Sequence, residues 1–199
     1  MSAAVLVEVE RHSFDRAAGD VLIAGIFSDE RPARGAAGRI DWRLCGPVTR
    51  YLVGGRLEGK VGEVVLLSTA GRLRVPRVLL LGLGDRSRFA AADVKTSTRE
   101  AVGHALELGA RRLVLEPLGI HDVDFPEHAD AILGATLEAV RAFEVEIVLS
   151  LLLAEADRVQ TRAALRTAVS GAKRGSVKLA ADKPKTVPGA IPTGLSSAP

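Results

Sequence analysis

A glycine- and lysine-containing loop is the first segment whose residue types could carry chemistry. Residues 54–61 read GGRLEGKV, close to the phosphate-binding pattern G-x-x-x-x-G-K-[ST]. In that pattern backbone N–H groups and the lysine hold phosphate, and the final hydroxyl binds magnesium. Here Val61 replaces the hydroxyl, and Glu58 places negative charge where phosphate would lie. A helix is expected before the segment and a strand after it, the reverse of a phosphate loop, so we predict a glycine-rich turn.

A second glycine loop closes an apolar run that starts at Arg77. It contains Gly82, Gly84, Asp85 and Ser87, which is half of a dinucleotide-binding pattern with serine in place of the third glycine. Ligands of open α/β sheets bind at the carboxyl ends of strands. We therefore predict these four residues as the ligand loop. The alternative is a tight turn in which glycine serves only the backbone.

Two other segments carry reactive residue types. Residues 121–128, HDVDFPEH, include His, Asp and Glu, which bind transition metals, but their spacing matches no known site. Proline among acids is typical of a helix start, so we predict no metal and no cofactor, with metal binding here as the alternative. Cys45 falls in a predicted helix and is interpreted as a small core residue. With no Gly-x-Ser-x-Gly motif, no catalytic residue is predicted.

The apolar periodicity indicates an α/β fold that must position these loops. Alternation of strands and helices in the second half predicts parallel strands with helical crossovers on both faces. The fold class is a mixed, largely parallel sheet in a three-layer architecture. Pro47 should break the first helix near Gly46. Strands are predicted at residues 3–9, 20–27, 63–68, 77–83, 112–116 and 145–152, and helices at 39–53, 89–108, 126–142 and 155–170.

The charge distribution divides the 199-residue chain into a domain and a tail. Residues 171–199 hold five cations and one anion, a charge of +4 within a total of +3, so residues 1–170 carry about −1. A nearly neutral domain is a poor nucleic-acid surface. We predict a folded domain at residues 1–170 and a flexible, Pro-, Lys- and Ser-rich tail at 171–199. Any nucleic-acid contact should be weak and made through the tail.

The cysteine count and hydropathy indicate the compartment. A single cysteine excludes an intramolecular disulfide and fits a reducing environment. No apolar run approaches the roughly 20 residues that span a bilayer. We predict a cytoplasmic protein without membrane contact.

Several segments, in order, resemble the N-terminal domain of the leucine (cytosol) aminopeptidase family. Gly59, Lys60, Gly62 and Glu63 resemble its Gly-Lys-x-Gly-Glu segment, and residues 77–84 resemble its Arg-Val-Leu-Leu-Val-Gly-Leu-Gly strand. The similarity covers about residues 20–120. It implies a fold similar to macro domains, which bind ADP-ribose. The family's two-zinc site and catalytic lysine and arginine lie in a C-terminal domain with motifs such as Asn-Thr-Asp-Ala-Glu-Gly-Arg, and this sequence has no such stretch.

The first functional hypothesis is a non-catalytic interaction or scaffolding module that binds itself or a protein partner. The sequence has the apolar pattern of an intact core but no recognisable set of catalytic residues, which leads to this hypothesis. One alternative is a macro-domain-like binder of ADP-ribose or a nucleotide. Others are a regulatory or DNA-binding domain, and an aminopeptidase by homology alone or with a separate catalytic chain.

Overall fold

Strands and helices alternate along most of the chain. The computed structural model describes residues 3–11, 14–153, 156–171 and 176–180. Within them the strands are β1 (Ala4–Glu10), β2 (Val21–Phe27), β3 (Val64–Ser68), β4 (Arg77–Gly84), β5 (Arg112–Leu115), β6 (Glu146–Leu152) and β7 (Val177–Leu179). The helices are α1 (Gly35–Leu44), α2 (Pro47–Val53), α3 (Ala91–Glu107), α4 (Phe125–Ala142) and α5 (Arg158–Gly171).

The strands form one sheet of order β3-β4-β2-β5-β6-β1-β7. Only β3 runs antiparallel to its neighbour among the described pairs; the others are parallel. The mixed, largely parallel sheet is confirmed. Its consequence for function is geometric, because the carboxyl ends of β4, β2, β5 and β6 meet at one edge of the sheet.

Helices cover both faces, which confirms the three-layer architecture. Along β2, Val21 and Ile23 pack in the larger core with residues of α3, α4 and α5. The alternate residues Leu22, Ala24 and Ile26 pack in a second core with α1 and α2. A strand covered on both faces needs apolar residues at successive positions, which explains the continuous apolar runs of β2 and β4.

The predicted helix break at Pro47 is confirmed, and it corrects the interpretation of Cys45. Pro47 begins α2, and Gly46 before it has φ +85°. Cys45 is the C-terminal cap of α1 with φ +65°, and its side chain is exposed. Because the break turns position 45 into a helix end, Cys45 lies outside the core. The carboxylate of Asp41 accepts the Val48 N–H at 2.7 Å and so caps the second helix.

Strand β7 corrects the predicted tail at its described residues. Val177–Leu179 pairs in parallel with β1, and the Val5 N–H donates to the Ser176 carbonyl at 2.8 Å. The edge of β1 offers unpaired backbone groups, which a three-residue strand satisfies without strong apolar periodicity. Residues 172–175 and 181–199 lie outside the described residues, so the flexible tail stays a prediction there.

Gly82 has no room for a side chain. A Cβ atom at this position would overlap the Lys60 carbonyl oxygen, a backbone atom. We expect Gly82→Ala to reduce the free energy of unfolding by about 1 to 3 kcal/mol, because the backbone of residues 59–61 would have to move. Urea unfolding measures the loss.

Gly134→Ala in α4 is the matched control. A Cβ there meets nothing within 4 Å. It should raise the free energy of unfolding by about 0.5 to 1 kcal/mol through helix propensity. Equal effects of the two substitutions would contradict the packing described for Gly82.

Candidate functional site

A cleft of about 760 Å³ opens at the carboxyl edge of the sheet. Its walls come from the ends of β2 and β4, from Glu116 and Pro117 directly after β5, and from Leu152 of β6. The first residues of α1 close another side. This is the position where ligands bind in open α/β sheets, and the volume lies in the usual range for small-molecule sites.

Charged side chains of both signs line this cleft. Three are arginines and three are carboxylates, and they come from the segments that follow β2, β4 and β5: Arg34, Arg39, Arg86, Glu30, Glu116 and Asp122. This group was not predicted from the sequence, because its members are far apart along the chain. The six residues share one feature that could have predicted the group: each lies after the carboxyl end of a parallel strand.

Glu116 and Glu30 are both largely buried carboxylates of the cleft. The Glu116 side chain is 17% exposed, and its Oε1 accepts a hydrogen bond from Arg39 Nη2 at 2.6 Å. Burial raises the pKa of Glu116 above its ordinary value, Arg39 opposes that rise, and Asp122 adds to it. The pair therefore joins α1 to the end of β5 across the cleft.

Arg86 connects two of the loops at the opposite wall. Its guanidinium lies 4.9 Å from the centre of the Phe27 ring, a cation–π contact. It also donates to Glu30 Oε1 at 3.2 Å and lies 3.4 Å from His121 Nε2. Phe27 packs edge-to-face on Phe89 at 5.3 Å. Arg86 is thus held in place by an aromatic face and a carboxylate.

The N-terminus of α1 faces the cleft. Arg34 is its cap residue, with an extended backbone and no side-chain cap hydrogen bond, and Gly35 and Ala36 line the cleft beside it. The first N–H groups of a helix lack intrahelical partners and carry partial positive charge. Together with Arg34 they offer a place for an anionic group.

The predicted ligand loop borders the cleft without lining it. Gly84 donates its N–H to the Gly59 carbonyl at 2.8 Å, and Gly82 packs on the same segment. Asp85 accepts hydrogen bonds from the Ser87 hydroxyl at 2.6 Å and the Ser87 N–H at 2.8 Å, which hold the pKa of Asp85 below its ordinary value. Their neighbours Leu83 and Arg86 reach the cleft. A binding role for the four residues themselves stays a prediction.

The glycine-lysine loop holds an anion of its own. The carboxylate of Glu63 accepts the backbone N–H groups of Glu58, Gly59 and Lys60 at 2.9, 2.7 and 3.2 Å. The donors that would cradle phosphate in a phosphate loop are therefore occupied. The segment leads into β3, as predicted, and Gly62 donates to the Gly82 carbonyl at 3.1 Å.

The described residues contain no group of three or more His, Cys, Asp or Glu placed to hold a metal ion. Within the segment considered for metal binding, His121 contacts Arg86, and His128 Nδ1 lies 3.1 Å from the Asp124 carbonyl oxygen. In the described part of the chain no helix has the length and hydropathy to cross a membrane.

The sequence pattern of the cytosol aminopeptidase family, N-terminal domain, matches residues 23–140. The chain belongs to this family. A probable cytosol aminopeptidase of Stenotrophomonas maltophilia (strain K279a) is 34% identical over 131 residues, which are 66% of this chain and 26% of that protein. The chain spans about a quarter or less of the length of the curated relatives it matches.

Solved structures show the same fold at low identity. A mutant of tomato leucine aminopeptidase superposes with a TM-score of 0.64 at 16% identity, covering 85% of this chain and 36% of that one. An Oceanobacillus iheyensis macrodomain with ADP gives 0.62 at 12% identity, covering 83% and 90%. The resemblance to both classes of protein, inferred from the sequence, is confirmed.

Glu63 should carry much of the stability of its loop. Glu63→Ala leaves three N–H groups without their acceptor, so we expect the free energy of unfolding to fall by about 2 to 4 kcal/mol. Glu63→Gln retains one acceptor oxygen and should lose less. Glu58→Ala is the control, since its carboxylate pairs with the exposed Lys60, and no measurable change is expected. An unchanged free energy of unfolding in Glu63→Ala would contradict the stabilising role of the carboxylate.

Glu116 and Asp85, whose pKa values are shifted in opposite directions, should respond oppositely to pH. The pKa of Glu116 is raised above its ordinary value of 4.5 in the folded state. As pH rises from 4.5 to the raised pKa, the unfolded state ionises first, so the free energy of unfolding falls. Glu116→Gln should therefore gain stability relative to wild type across that window. Asp85 has a pKa lowered below 3.8, so its contribution is present above 3.8 and lost as pH falls.

Urea unfolding from acid to neutral pH checks both signs. Asp85→Asn should become less stable than wild type as pH rises through 3.8. Slopes of the same sign for Glu116→Gln and Asp85→Asn would contradict this assignment.

Proposed function

We propose that this domain is a non-catalytic binding module whose cleft receives a small phosphate-bearing ligand of the nucleoside diphosphate class. The observation that carries the proposal is the convergence of Arg34, the uncapped start of α1 and two further arginines at the carboxyl edge of the sheet. A helix N-terminus beside arginine favours a phosphate group electrostatically and by hydrogen bonding.

The balance of charges narrows the ligand class. Arg39 and Arg86 already contact Glu116 and Glu30, so the cleft as a whole is close to neutral. A simple polyanion would meet three carboxylates, whereas a nucleotide carries phosphates for Arg34 and hydroxyl or amino donors for the acids. The macrodomain neighbour solved with ADP supports this by analogy of fold.

Under this proposal the domain does not itself carry out the peptidase reaction of the family. Two-metal hydrolysis needs converging carboxylates that hold both ions, and the sequence lacks the family's Asn-Thr-Asp-Ala-Glu-Gly-Arg motif. Aminopeptidase activity would then require a catalytic domain or chain. We also propose a cytoplasmic location, which the naming of the relatives as cytosol aminopeptidases supports.

A second candidate function is association with a protein partner or with another copy. Trp42 on α1 favours it, since the indole is 80% exposed. Tryptophan is enriched at the energetic centres of protein interfaces.

Titration calorimetry with ADP tests the ligand proposal. We expect saturable binding, and a rise in melting temperature at saturating ADP. Arg34→Ala should weaken binding at least about tenfold, because a charge-assisted hydrogen bond to phosphate is lost. Arg34 makes no side-chain cap hydrogen bond to α1, so the substitution should leave the fold intact.

Arg166→Ala, an exposed arginine on the opposite helical layer, is the matched control and should bind ADP as wild type does. Absence of heat and of a thermal shift at millimolar ADP would contradict the proposal. Equal losses for Arg34→Ala and Arg166→Ala would show that binding is a general charge effect.

A further inference from the structure

A groove of about 620 Å³ lies beside the cleft, along the outer side of α1. Small and apolar residues, among them Phe14, Ala33 and Gly38, form part of its surface, and the exposed Trp42 stands at its side. Three arginines line it: Arg34, Arg39 and Arg43. Arg39 pairs with Glu116 at 2.6 Å and Arg43 lies 3.9 Å from Asp15, which leaves an excess of one positive charge at the groove. The groove is therefore an apolar surface with a basic rim, and it fits an apolar side chain flanked by acids.

The same chain carries a segment with that composition. A short 3-10 turn, Asp122–Asp124, precedes α4, and the Val123 side chain at its centre is 60% exposed. Asp124 and Glu127 beside it are exposed carboxylates. The segment presents an aliphatic side chain among acids, the complement of the groove in both hydropathy and charge.

We propose that the groove beside Trp42 binds the Asp122–Asp124 turn of a second copy of this chain. The inference rests on the second candidate function above and specifies its surface and occupant. Val123 would enter the groove against Trp42, with Asp124 near Arg43. Because each copy carries both the groove and the turn, two copies exchange the same contact around a two-fold axis, the commonest symmetry of protein dimers.

Self-association should be measurable through Trp42 itself. It is the only tryptophan in the 199 residues, so intrinsic fluorescence reports on this side chain alone. Between micromolar and millimolar protein, the emission should shift to the blue as the indole is buried, while sedimentation shows the mass rising from 20.9 kDa toward twice that value. Trp42→Ala and Val123→Ala should each weaken the dimer at least about tenfold. Val159→Ala, an exposed valine on α5, is the control and should dimerise normally.

A charge exchange tests the pairing directly. Arg43→Glu places a second carboxylate against Asp124, and Asp124→Lys places a second cation against Arg43, so each variant alone should be monomeric. Mixing the two variants restores an attractive pair at one of the two contacts, where the introduced glutamate of one copy meets the introduced lysine of the other. The second contact then joins the native Arg43 and Asp124, so dimers should reappear in the mixture only. Circular dichroism confirms that each variant is folded before mixing.

The outcomes separate this proposal from the ligand proposal. Trp42, Arg43 and Asp124 do not line the cleft, so ADP binding should be unchanged in the variants at these three positions. Val123 does line the cleft, so Val123→Ala serves only the dimer measurement. A strictly monomeric wild type, or dimers unaffected by Trp42→Ala, would overturn the proposal. So would a mixture of the two charge variants that stays monomeric. If the wild type is monomeric and binds ADP, only the dimer proposal is wrong. If it dimerises and does not bind ADP, only the ligand proposal is wrong.

Discussion

The close packing of residues 59–63 against the end of β4 is the interaction on which the functional edge of this domain depends. Gly82 and Gly84 let the two backbones meet, and the Glu63 carboxylate holds the N–H groups of the approaching loop. The loop also reaches the next strand end, since Arg31 donates to the carbonyls of Glu58 and Phe27 at 2.8 and 3.2 Å. Residues after β2 and after β4 are thereby fixed relative to each other. Arg86 and Glu30, which line the cleft, depend on that arrangement.

This packing explains why a segment that resembles a phosphate loop does not offer its N–H groups to phosphate. A phosphate loop presents free N–H groups to a ligand, whereas here the chain supplies the anion from its own Glu63. The loop serves as a structural support, and the groups available for binding lie on the other side of β4. There the open start of α1 and the arginine side chains face a cavity large enough for a nucleotide. Residues 54–61 therefore resemble a phosphate loop in sequence but have a structural role.

Much of the fold could be predicted from the sequence, and little of the site. Apolar runs in β2 and β4, the proline at position 47 and the strand-helix alternation each follow from local chemistry, and the structure agrees. The edge strand Val177–Leu179 was missed because three residues carry no reliable period and depend on β1 for pairing. Cys45 was misplaced because its exposure is set by the helix break. The cleft residues could not be grouped, since Arg39 and Glu116 meet only through the strand order.

The most direct measurement of the central claim is an amide chemical-shift titration with ADP on the isotopically labelled chain. We expect saturable shifts for the N–H groups at the start of α1, at residues 85–86 and at 119–123, with α5 and β7 unchanged. Shifts spread over the helical layer that contains α5, or none at millimolar ADP, would contradict the claim that the carboxyl edge of this sheet is a ligand site.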